Sequence, residues 1–206
     1  MKRAGLTRSR VLQAAVLFVD REGLEALSMR KLGDELGVEA MSLYRHVANK
    51  ADILDGIHET ILKEMPTPTL GGSWREDLRM LGRSLRQVLL RHPAALPLFA
   101  TRPALSPGSL LLVEVVLGMF REAGFSSDQS LSALQAVYTY IVGNALLSFA
   151  PGGELNLDDF PHLESMAQAL AQHDPQSSFE FGLEVVLRGL DAMLAQGVAE
   201  LIDELR

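Results

Sequence analysis

Apolar residues recur every three or four positions along almost the whole chain, which is the spacing that places them on one face of an α-helix. The first stretch shows the pattern clearly, with Val11, Ala14, Ala15, Phe18 and Val19 apolar. No stretch alternates apolar and polar residues as a half-buried strand would. The pattern therefore predicts an all-α fold.

Several helix boundaries are marked by residues whose chemistry starts or stops a helix. Thr7, Ser28 and Asn49 each precede a helical stretch, and their side chains can accept a hydrogen bond from the first turn of backbone. Gly23 and Gly37 follow helical stretches, and glycine readily takes the left-handed conformation at a helix end. We expect three short helices before Asn49 and a longer helix after it.

A connector rich in proline and glycine, with Pro66, Pro68, Gly71 and Gly72, follows this longer helix. It predicts two domains: a three-helix head over 1–50 with a linking helix over 49–65, and a helical body over 66–206. The body is expected to contain helices over 74–91, just after Pro93, and over 110–123, 127–149, 162–172 and 179–195, with a loop over 151–161.

The net charge of −7 hides an asymmetry between these two parts. The first 50 residues carry nine Lys and Arg against six Asp and Glu, whereas the remainder carries ten against twenty. A basic head on an acidic body favours a polyanionic partner, such as nucleic acid, for the head.

Composition narrows the chemistry further. The chain has no cysteine, and its five histidines show no paired spacing, so we expect no metal site and no cofactor. Residues 1–7 lack the apolar run of a signal peptide. No apolar run reaches the roughly 20 residues that a membrane span needs. We therefore expect a cytoplasmic protein with no membrane partner.

The segment from Ser28 to Val47 predicts a helix-turn-helix, with Gly37 at its corner. This motif lays its second helix in the major groove of DNA and braces it with the first. The residues expected in the shared core are Leu32, Leu36, Val38, Leu43 and Val47. The residues expected to point away from that core are Ala40, Met41, Ser42, Tyr44 and Arg45.

The same segment resembles the tetracycline-repressor (TetR) family of bacterial regulators. The resemblance rests on the combination of Leu36-Gly37-Val38-Glu39, Leu43-Tyr44, His46-Val47, Asn49-Lys50 and Leu54-Asp55. It continues through Ser73-Trp74, Thr101-Arg102-Pro103, Gly124-Phe125-Ser126, Phe181-Gly182-Leu183-Glu184 and Gly189-Leu190, which resemble the regulatory domain of the tetracycline repressors. It therefore covers nearly the whole chain.

The resemblance implies which head residues contact DNA. It places Met29 and Arg30 at the start of the bracing helix, where base or phosphate contacts are made. It places Ala40, Met41 and Ser42 in the base-reading turn of the recognition helix, and Tyr44, His46 and Lys50 at phosphate-contacting positions. The alternative is that Tyr44 is a half-buried core aromatic and that His46 and Arg30 are ordinary surface residues.

The resemblance also locates a ligand pocket in the body, near Leu81, Leu85, Leu98, Thr101 and Val116. Tetracycline-sensing members of the family carry a metal-binding histidine where this chain has Leu98. A magnesium–tetracycline complex would lose that ligand here, so we expect a more apolar effector that needs no metal. The alternative is that these residues are ordinary core.

Two helical stretches, 131–149 and 179–194, are the expected homodimer interface. The predicted stripes are Leu131, Leu134, Tyr138, Ile141, Ala145 and Phe149 on one helix, and Leu183, Val186, Leu187, Leu190 and Leu194 on the other. Gly182 and Gly189 would let a neighbouring helix approach closely. The alternative is that both stripes cover the core of the monomer.

These features predict a one-component transcriptional regulator with three partners: double-stranded palindromic operator DNA, a small-molecule effector and a second copy of the chain. We expect a repressor that a small apolar effector releases from DNA. An activator of the same fold, or a dimeric helical ligand-binding protein without DNA function, remains an alternative. An enzyme is not expected, because the carboxylate pairs Glu76-Asp77 and Asp158-Asp159 lack any accompanying phosphate loop, nucleophile elbow or metal spacing.

Overall fold

The computed structural model describes residues 5–66, 71–102, 106–149, 159–166, 169 and 174–204. Within these ranges every regular element is a helix, which confirms the all-α prediction. The helices are α1 (Arg8–Glu22), α2 (Met29–Leu36), α3 (Ala40–Leu43), α4 (Lys50–Leu62), α5 (Trp74–Arg91), a 3-10 turn (Pro93–Ala95), α6 (Leu96–Thr101), α7 (Pro107–Glu122), α8 (Ser127–Leu147), α9 (Pro161–Ser165) and α10 (Pro175–Glu204).

Helices α1 and α2 begin and end at the predicted residues and α4 begins after Asn49, whereas α3 is shorter than predicted and covers only Ala40–Leu43. The side chains of Thr7 and Ser28 each accept a hydrogen bond from a first-turn backbone N–H at 3.2 Å, and that of Asn49 accepts one at 2.9 Å. Gly23 and Gly37 have φ values of 85° and 65°, so both take the positive φ that glycine adopts readily. The local chemistry of the head therefore fixes its helix limits.

Two body helices begin earlier than their apolar patterns predict. Helix α7 begins at Pro107, because Ser106 caps it and proline is suited to a first helical turn. Helix α10 begins at Pro175, where the Asp174 carboxylate accepts a hydrogen bond from the backbone N–H of Ser177 at 2.8 Å. These polar caps extend each helix beyond its apolar face.

Part of the predicted organisation lies outside the described residues. This applies to residues 67–70 of the connector, to most of the predicted loop over 151–161, and to most of the second half of the predicted helix over 162–172. Within that last range, α9 covers Pro161–Ser165.

A single apolar core runs through the head and the body. In the head, α1 packs against α2 and α4, and in the body α8 packs against α5, α6, α7 and α10. Helix α4 contacts α1 on one side and α5, α6 and α7 on the other. The linking helix is thus packed into both parts of the molecule.

Two polar contacts hold the helices around α4 together. The ring of His92 lies between two carboxylates, with Nδ1 2.9 Å from Asp20 of α1 and Nε2 3.1 Å from Glu64, just after α4. Arg102, just after α6, forms an ion pair with Asp55 of α4 at 2.7 Å. The position of α4 therefore depends on both the head and the body.

Candidate DNA-reading head and effector cavity

The turn between α2 and α3 brings the two helices unusually close together. Gly37 has the left-handed conformation at the corner, and the backbone N–H of Val38 donates to the carbonyl of Gly33 at 3.0 Å. A Cβ atom on Gly33 would lie 2.9 Å from the backbone oxygen of Val38 and 3.2 Å from the backbone nitrogen of Ala40. Gly33 is therefore what allows α3 to sit against α2, a role that the sequence pattern did not reveal.

The predicted division of the second helix into a buried and an outward side is confirmed. Leu43 is fully buried, whereas Met41 is 75% exposed and Tyr44 is 46% exposed. Ala40 and Ser42 are half-buried. Of the predicted core, Leu32, Leu43 and Val47 are buried, while Leu36 and Val38 are only partly so.

The other predicted DNA-contacting residues differ in exposure. Arg30 is exposed in the first turn of α2, and Lys50 is exposed as the first residue of α4. His46 is half-buried after α3. Met29 is partly buried and packs against the apolar core, so its side chain contributes to the interior of the head as well. Of the predicted DNA-contacting residues, Arg30 and Lys50 are thus exposed cations at the starts of α2 and α4.

Arg8 of α1 braces the turn that joins α3 to α4. Its guanidinium donates to both carboxylate oxygens of Asp52, at 2.9 and 2.6 Å, and to the backbone carbonyl of His46 at 3.2 Å. Asp52 also accepts from the backbone N–H of Ala48 at 2.7 Å. The hydrogen bond from Arg8 lowers the pKa of Asp52 below its ordinary value. This bidentate pair braces the turn that leads into α4, at whose start Lys50 lies.

In the body, a cavity of about 80 Å³ lies between α4, α5, α7 and α8. It is lined by His58, Leu62, Met65, Leu78, Leu81, Gly82, Leu85, Ser109, Leu112, Val113, Val116, Leu134, Val137, Tyr138 and Ile141. None of these described lining residues is Asp, Glu, Lys or Arg. The cavity therefore suits an uncharged, mainly apolar guest.

The structure brings three of the five predicted pocket residues together, Leu81, Leu85 and Val116. Leu98 and Thr101, on α6, are not among the residues that line the cavity. Leu98 is buried in the core, and Thr101 is exposed with its hydroxyl donating to the carbonyl of Pro97 at 2.6 Å. The cavity lies closer to α4, α7 and α8 than the sequence suggested.

His58, Ser109 and Tyr138 line this cavity, and none of them was predicted as a pocket residue; Tyr138 was expected at the dimer interface instead. His58, on α4, is only 4% exposed, and its Nδ1 lies 3.4 Å from the Ser109 hydroxyl. Burial lowers the pKa of His58 to about 4, so the ring is neutral near pH 7. Burial likewise raises the pKa of Tyr138 to about 12, and its hydroxyl donates to the carbonyl of Phe99 at 2.9 Å.

A signal for His58 was nevertheless present in the sequence. It follows Ile57 and lies four residues after Leu54, on a helix whose inward positions are otherwise apolar. A histidine among such positions must either find a partner in the core or face a cavity. Only the neighbouring helices distinguish the two cases.

A larger groove of about 480 Å³ adjoins the cavity between α4 and α7. It shares Leu62, Met65, Leu81 and Leu112 with the cavity, while Glu59 and Lys63 lie along it and pair with each other. Drug-sized guests need about 300–1,000 Å³. The inner cavity alone is too small for one, so a guest would occupy the cavity and the groove together.

The stripes predicted for the dimer interface lie mostly inside the monomer. Ile141, Ala145, Leu183, Leu187 and Leu190 are all buried within one chain. For these five residues the alternative is confirmed: they cover the core of the monomer. Leu131 and Phe149 of the predicted stripes are instead exposed, and the exposed apolar face of α8, the residues just after it and α10 consists of Leu131, Leu146, Leu147, Phe149, Phe181, Val185 and Met193.

The two glycines predicted to admit a neighbouring helix serve different purposes. A Cβ atom on Gly182 would clash with the hydroxyl end of Tyr140, on α8 of the same chain. A Cβ atom on Gly189 would meet nothing within 4 Å. Gly182 therefore allows close packing within the monomer, whereas Gly189 lies open beside the exposed apolar face.

Metal ligation and membrane insertion find no support within the described ranges. No group of three or more His, Asp or Glu side chains there could hold a metal ion. No helix in those ranges is long and apolar enough to cross a membrane.

A helix-turn-helix head joined by a packed linking helix to an all-helical body with an internal cavity defines a class of ligand-responsive DNA-binding regulators. Comparison with known families identifies the class further. Residues 11–57 match the model for bacterial regulatory proteins of the tetR family, and residues 67–151 match the tetracyclin repressor-like C-terminal domain. The chain belongs to the TetR family of transcriptional regulators.

Individual relatives agree with this assignment. A transcriptional regulator of the helix-turn-helix type from Saccharopolyspora erythraea is 41% identical over 68% of this chain, and the match spans 59% of that relative. The class D tetracycline repressor protein from Escherichia coli is 33% identical, over 93% of this chain and 92% of that protein.

Solved structures show the same fold. Apo ActR from Streptomyces coelicolor superimposes with a TM-score of 0.83 at 29% identity, covering 95% of this chain and 99% of ActR. ActR has also been solved in complex with actinorhodin, and that structure matches with a TM-score of 0.79 at 31% identity over 93% of this chain and 99% of ActR.

Proposed function

We propose that this regulator is a repressor that binds a palindromic operator as a homodimer and leaves it when a small, mainly apolar effector occupies the body. The proposal rests on the path of α4, which runs from the surface of the head to the cavity in the body. The helix begins at Lys50 on the exposed surface of the head, and His58 and Leu62, towards its other end, line the cavity. Eight residues of helix separate Lys50 from His58 by about 12 Å.

In the head, α3 is the helix that we assign to the major groove. The exposed Met41 side chain, with Ala40 and Ser42, would face the base edges, where a methionine or alanine offers apolar contact to a thymine methyl group. Arg30 and Met29 would approach DNA from the start of α2. Tyr44, His46 and Lys50 would contact phosphates, with Lys50 supported by the N-terminal end of α4.

In the body, the exposed apolar face of α8 and α10 is where we expect a second copy to bind. Seven large apolar side chains lie exposed on this face, and Gly189 would let a facing helix approach closely. Two copies related by a two-fold axis would present two heads, as a palindromic operator requires. This keeps the segments 131–149 and 179–194 as the proposed interface, with Leu131 and Phe149 retained from the predicted stripes and the other exposed residues added.

The effector is expected to be mainly apolar and to need no metal. Relatives named for tetracycline, and ActR solved with actinorhodin, suggest a site for small molecules in this body. The cavity here has apolar walls and a neutral histidine, and Leu98 stands where tetracycline-sensing relatives carry the metal-binding histidine. A magnesium–tetracycline complex would leave polar groups unpaired against these walls.

The proposed mechanism is a displacement of α4. A guest that fills the cavity and the groove would lie between α4 and α7 and push α4 outward. Since α4 carries Lys50 and is tied to α6 through Asp55, its movement would change the separation of the two heads. The effector needs only a higher affinity for the released state, and a coupling of about 1–3 kcal/mol is typical.

The same reasoning assigns the domains. We propose a head over 1–50, a linking helix over 49–65 and an effector-binding and dimerisation body over 66–206. Such a regulator acts on the bacterial chromosome, and hence in the cytoplasm.

The test is selection of duplex DNA from a random pool by the purified protein, followed by affinity measurements on the enriched site at several salt concentrations. A palindrome bound by a dimer at about 10⁻⁸ M or tighter, with strong salt dependence, is expected. A reporter gene placed behind that site should be silenced by the protein. Activation of the reporter would contradict the repressor assignment, and failure to enrich any site would contradict DNA binding.

A further inference from the structure

One polar atom in the cavity wall is buried without a partner among the described residues. His58 Nε2 has no hydrogen-bond partner within that part of the chain, although the residue is only 4% exposed. A buried polar group left unpaired is costly, and native proteins rarely retain one without a purpose. The imidazole that carries this nitrogen lines the cavity, so a guest there would lie against the ring.

The ring that carries this nitrogen is held firmly in place. It stacks on Phe99 with the ring centroids 4.2 Å apart, and its other nitrogen lies 3.4 Å from the Ser109 hydroxyl. Ser109 in turn lies 2.9 Å from the hydroxyl of Ser106, the residue that caps α7. The imidazole therefore has a fixed orientation between α4, α6 and α7.

We propose that His58 Nε2 is the atom that selects the effector, and that the effector is an uncharged, mainly apolar molecule carrying a hydroxyl group that binds this nitrogen. This inference deepens the proposed function and rests on it. His58 determines specificity, because among the described residues that line the cavity it alone has a buried side-chain nitrogen or oxygen without any hydrogen-bond partner.

The choice of a hydroxyl follows from the two serines. Either serine hydroxyl can donate to the other, so the Ser106–Ser109 pair is compatible with both neutral forms of the histidine ring. In one form Nε2 accepts a hydrogen bond, and in the other it donates. A hydroxyl can satisfy both forms, whereas a carbonyl or ether satisfies only one.

The cavity disfavours charged alternatives. None of its described lining residues carries a charge at neutral pH, so a carboxylate or ammonium group would be buried there without a counter-charge. A water molecule bound to Nε2 would find few other polar partners, because the cavity lining is mainly apolar. Such a water would be displaced readily by a hydroxyl on an apolar molecule.

The location of His58 links recognition to release. His58 lies one turn after Asp55, which pairs with Arg102, and two turns after the start of α4 at Lys50. A guest bonded to His58 therefore acts directly on the helix that joins the head to the body. Recognition of the hydroxyl and displacement of α4 occur on the same element.

The test uses the full chain with four probes of similar shape: naphthalene, 1-naphthol, 1-methoxynaphthalene and 1-naphthoate. Binding is measured by calorimetry, and imidazole nitrogen shifts are followed by NMR in the wild-type protein. We expect 1-naphthol to bind about fivefold to tenfold more tightly than naphthalene, as one hydrogen bond of ordinary strength predicts. The His58 Nε2 resonance should shift on 1-naphthol binding, and 1-naphthoate should bind weakest.

In His58→Leu the advantage of 1-naphthol over naphthalene should disappear, whereas in the control His162→Leu, which replaces an exposed histidine, it should remain. An undiminished advantage in His58→Leu, an unmoved Nε2 resonance at saturation, or no binding of any probe would overturn the proposal. The NMR measurement on the wild type decides the matter even if His58→Leu folds poorly. Operator binding is measured separately, so a chain that bound no DNA but still preferred 1-naphthol through His58 would refute only the proposed function.

Discussion

The head and the body of this regulator expose apolar side chains for different reasons. In the head, Met41 projects from a four-residue helix whose opposite side, at Leu43, is fully buried. In the body, Phe181 and Val185 project from a helix whose other side is already filled by Leu183 and Leu187. The head thus projects an apolar side chain from a small folded unit, whereas the outer face of α10 presents apolar side chains that the described residues of its own chain leave uncovered.

The largest effect should follow from a charge on that uncovered face. Phe181→Glu places a carboxylate at a residue that is 74% exposed in the monomer, so the monomer should fold normally. In a dimer the charge would be buried without a partner, so the dimer should dissociate. Because two linked heads bind far more tightly than one, operator affinity should fall by about 10² or more. Sedimentation equilibrium and fluorescence anisotropy measure the two effects.

The matched control for this change is Leu17→Glu. Leu17 is also a large exposed apolar residue, but it lies on α1, away from α8 and α10. Leu17→Glu should leave the protein dimeric. A dimeric Phe181→Glu protein with full operator affinity would show that the second copy binds elsewhere.

The next largest effect should come from a substitution that disturbs the close approach of α2 and α3 in the head. Gly33→Val would push side-chain atoms against the backbone of Val38 and Ala40, and backbone cannot move aside as a flexible side chain can. Helix α3 should tilt and fit the groove less well, and each base pair that is no longer read correctly should cost about 1–3 kcal/mol. Operator affinity should therefore fall by at least about tenfold in anisotropy titrations, while ligand binding in the body is retained.

Gly118→Val provides the control for that substitution. Gly118 is also a helical glycine, but a Cβ atom there would meet nothing within 4 Å. Both affinity and stability should change little. An unchanged operator affinity in Gly33→Val would mean that α3 does not depend on this close approach.

The contrast between the two regions also explains what could be predicted from the sequence. Thr7, Ser28, Asn49 and Gly37 act on backbone atoms within a few residues of themselves, so their roles are visible in the sequence alone. The outward positions of the short α3 follow from local helix geometry once Leu43 is recognised as core. The fold class and the head were therefore predictable in detail.

The body depends on packing between residues that are distant in the sequence. Whether Ile141 or Leu146 faces the core is decided by where α5 and α10 pack against α8, and an apolar pattern around most of the helix does not say which side is covered. Gly182 was expected to meet a second copy, but Tyr140 of the same chain occupies that space. The partners that His58 finds likewise depend on which residues of α7 come near it.

A smaller effect should separate positioning from base reading within the head. Lys50→Ala should weaken binding to every duplex by a similar factor and lower the slope of log K against log salt by about one, because one fewer phosphate is neutralised. Met41→Gln should instead change which base is preferred at one position of each half-site, with little effect on the salt slope. Affinity measurements on a panel of single-base variants at two salt concentrations distinguish them. Equal effects of both substitutions on all sequences would contradict the assigned roles.

The smallest effect concerns the ion pair that braces the head. Arg8 lowers the pKa of Asp52 below its ordinary value of 3.8, so the folded protein favours the charged carboxylate. The pair therefore stabilises the fold at neutral pH, and its contribution disappears as the pH falls through the pKa of Asp52 in the folded state. Because both side chains are partly exposed, with 45% and 27% of their surface accessible, about 0.5 kcal/mol is a reasonable size.

A double-mutant cycle measures this contribution directly. Arg8→Gln, Asp52→Asn and the double variant are compared by urea denaturation at pH 7 and at pH 3. The coupling free energy should be favourable at pH 7 and should decrease as the pH falls through the pKa of Asp52 in the folded state. A coupling near zero at pH 7 would show that Arg8 supports the turn through the carbonyl of His46 alone, and that the carboxylate of Asp52 serves the backbone of Ala48 instead.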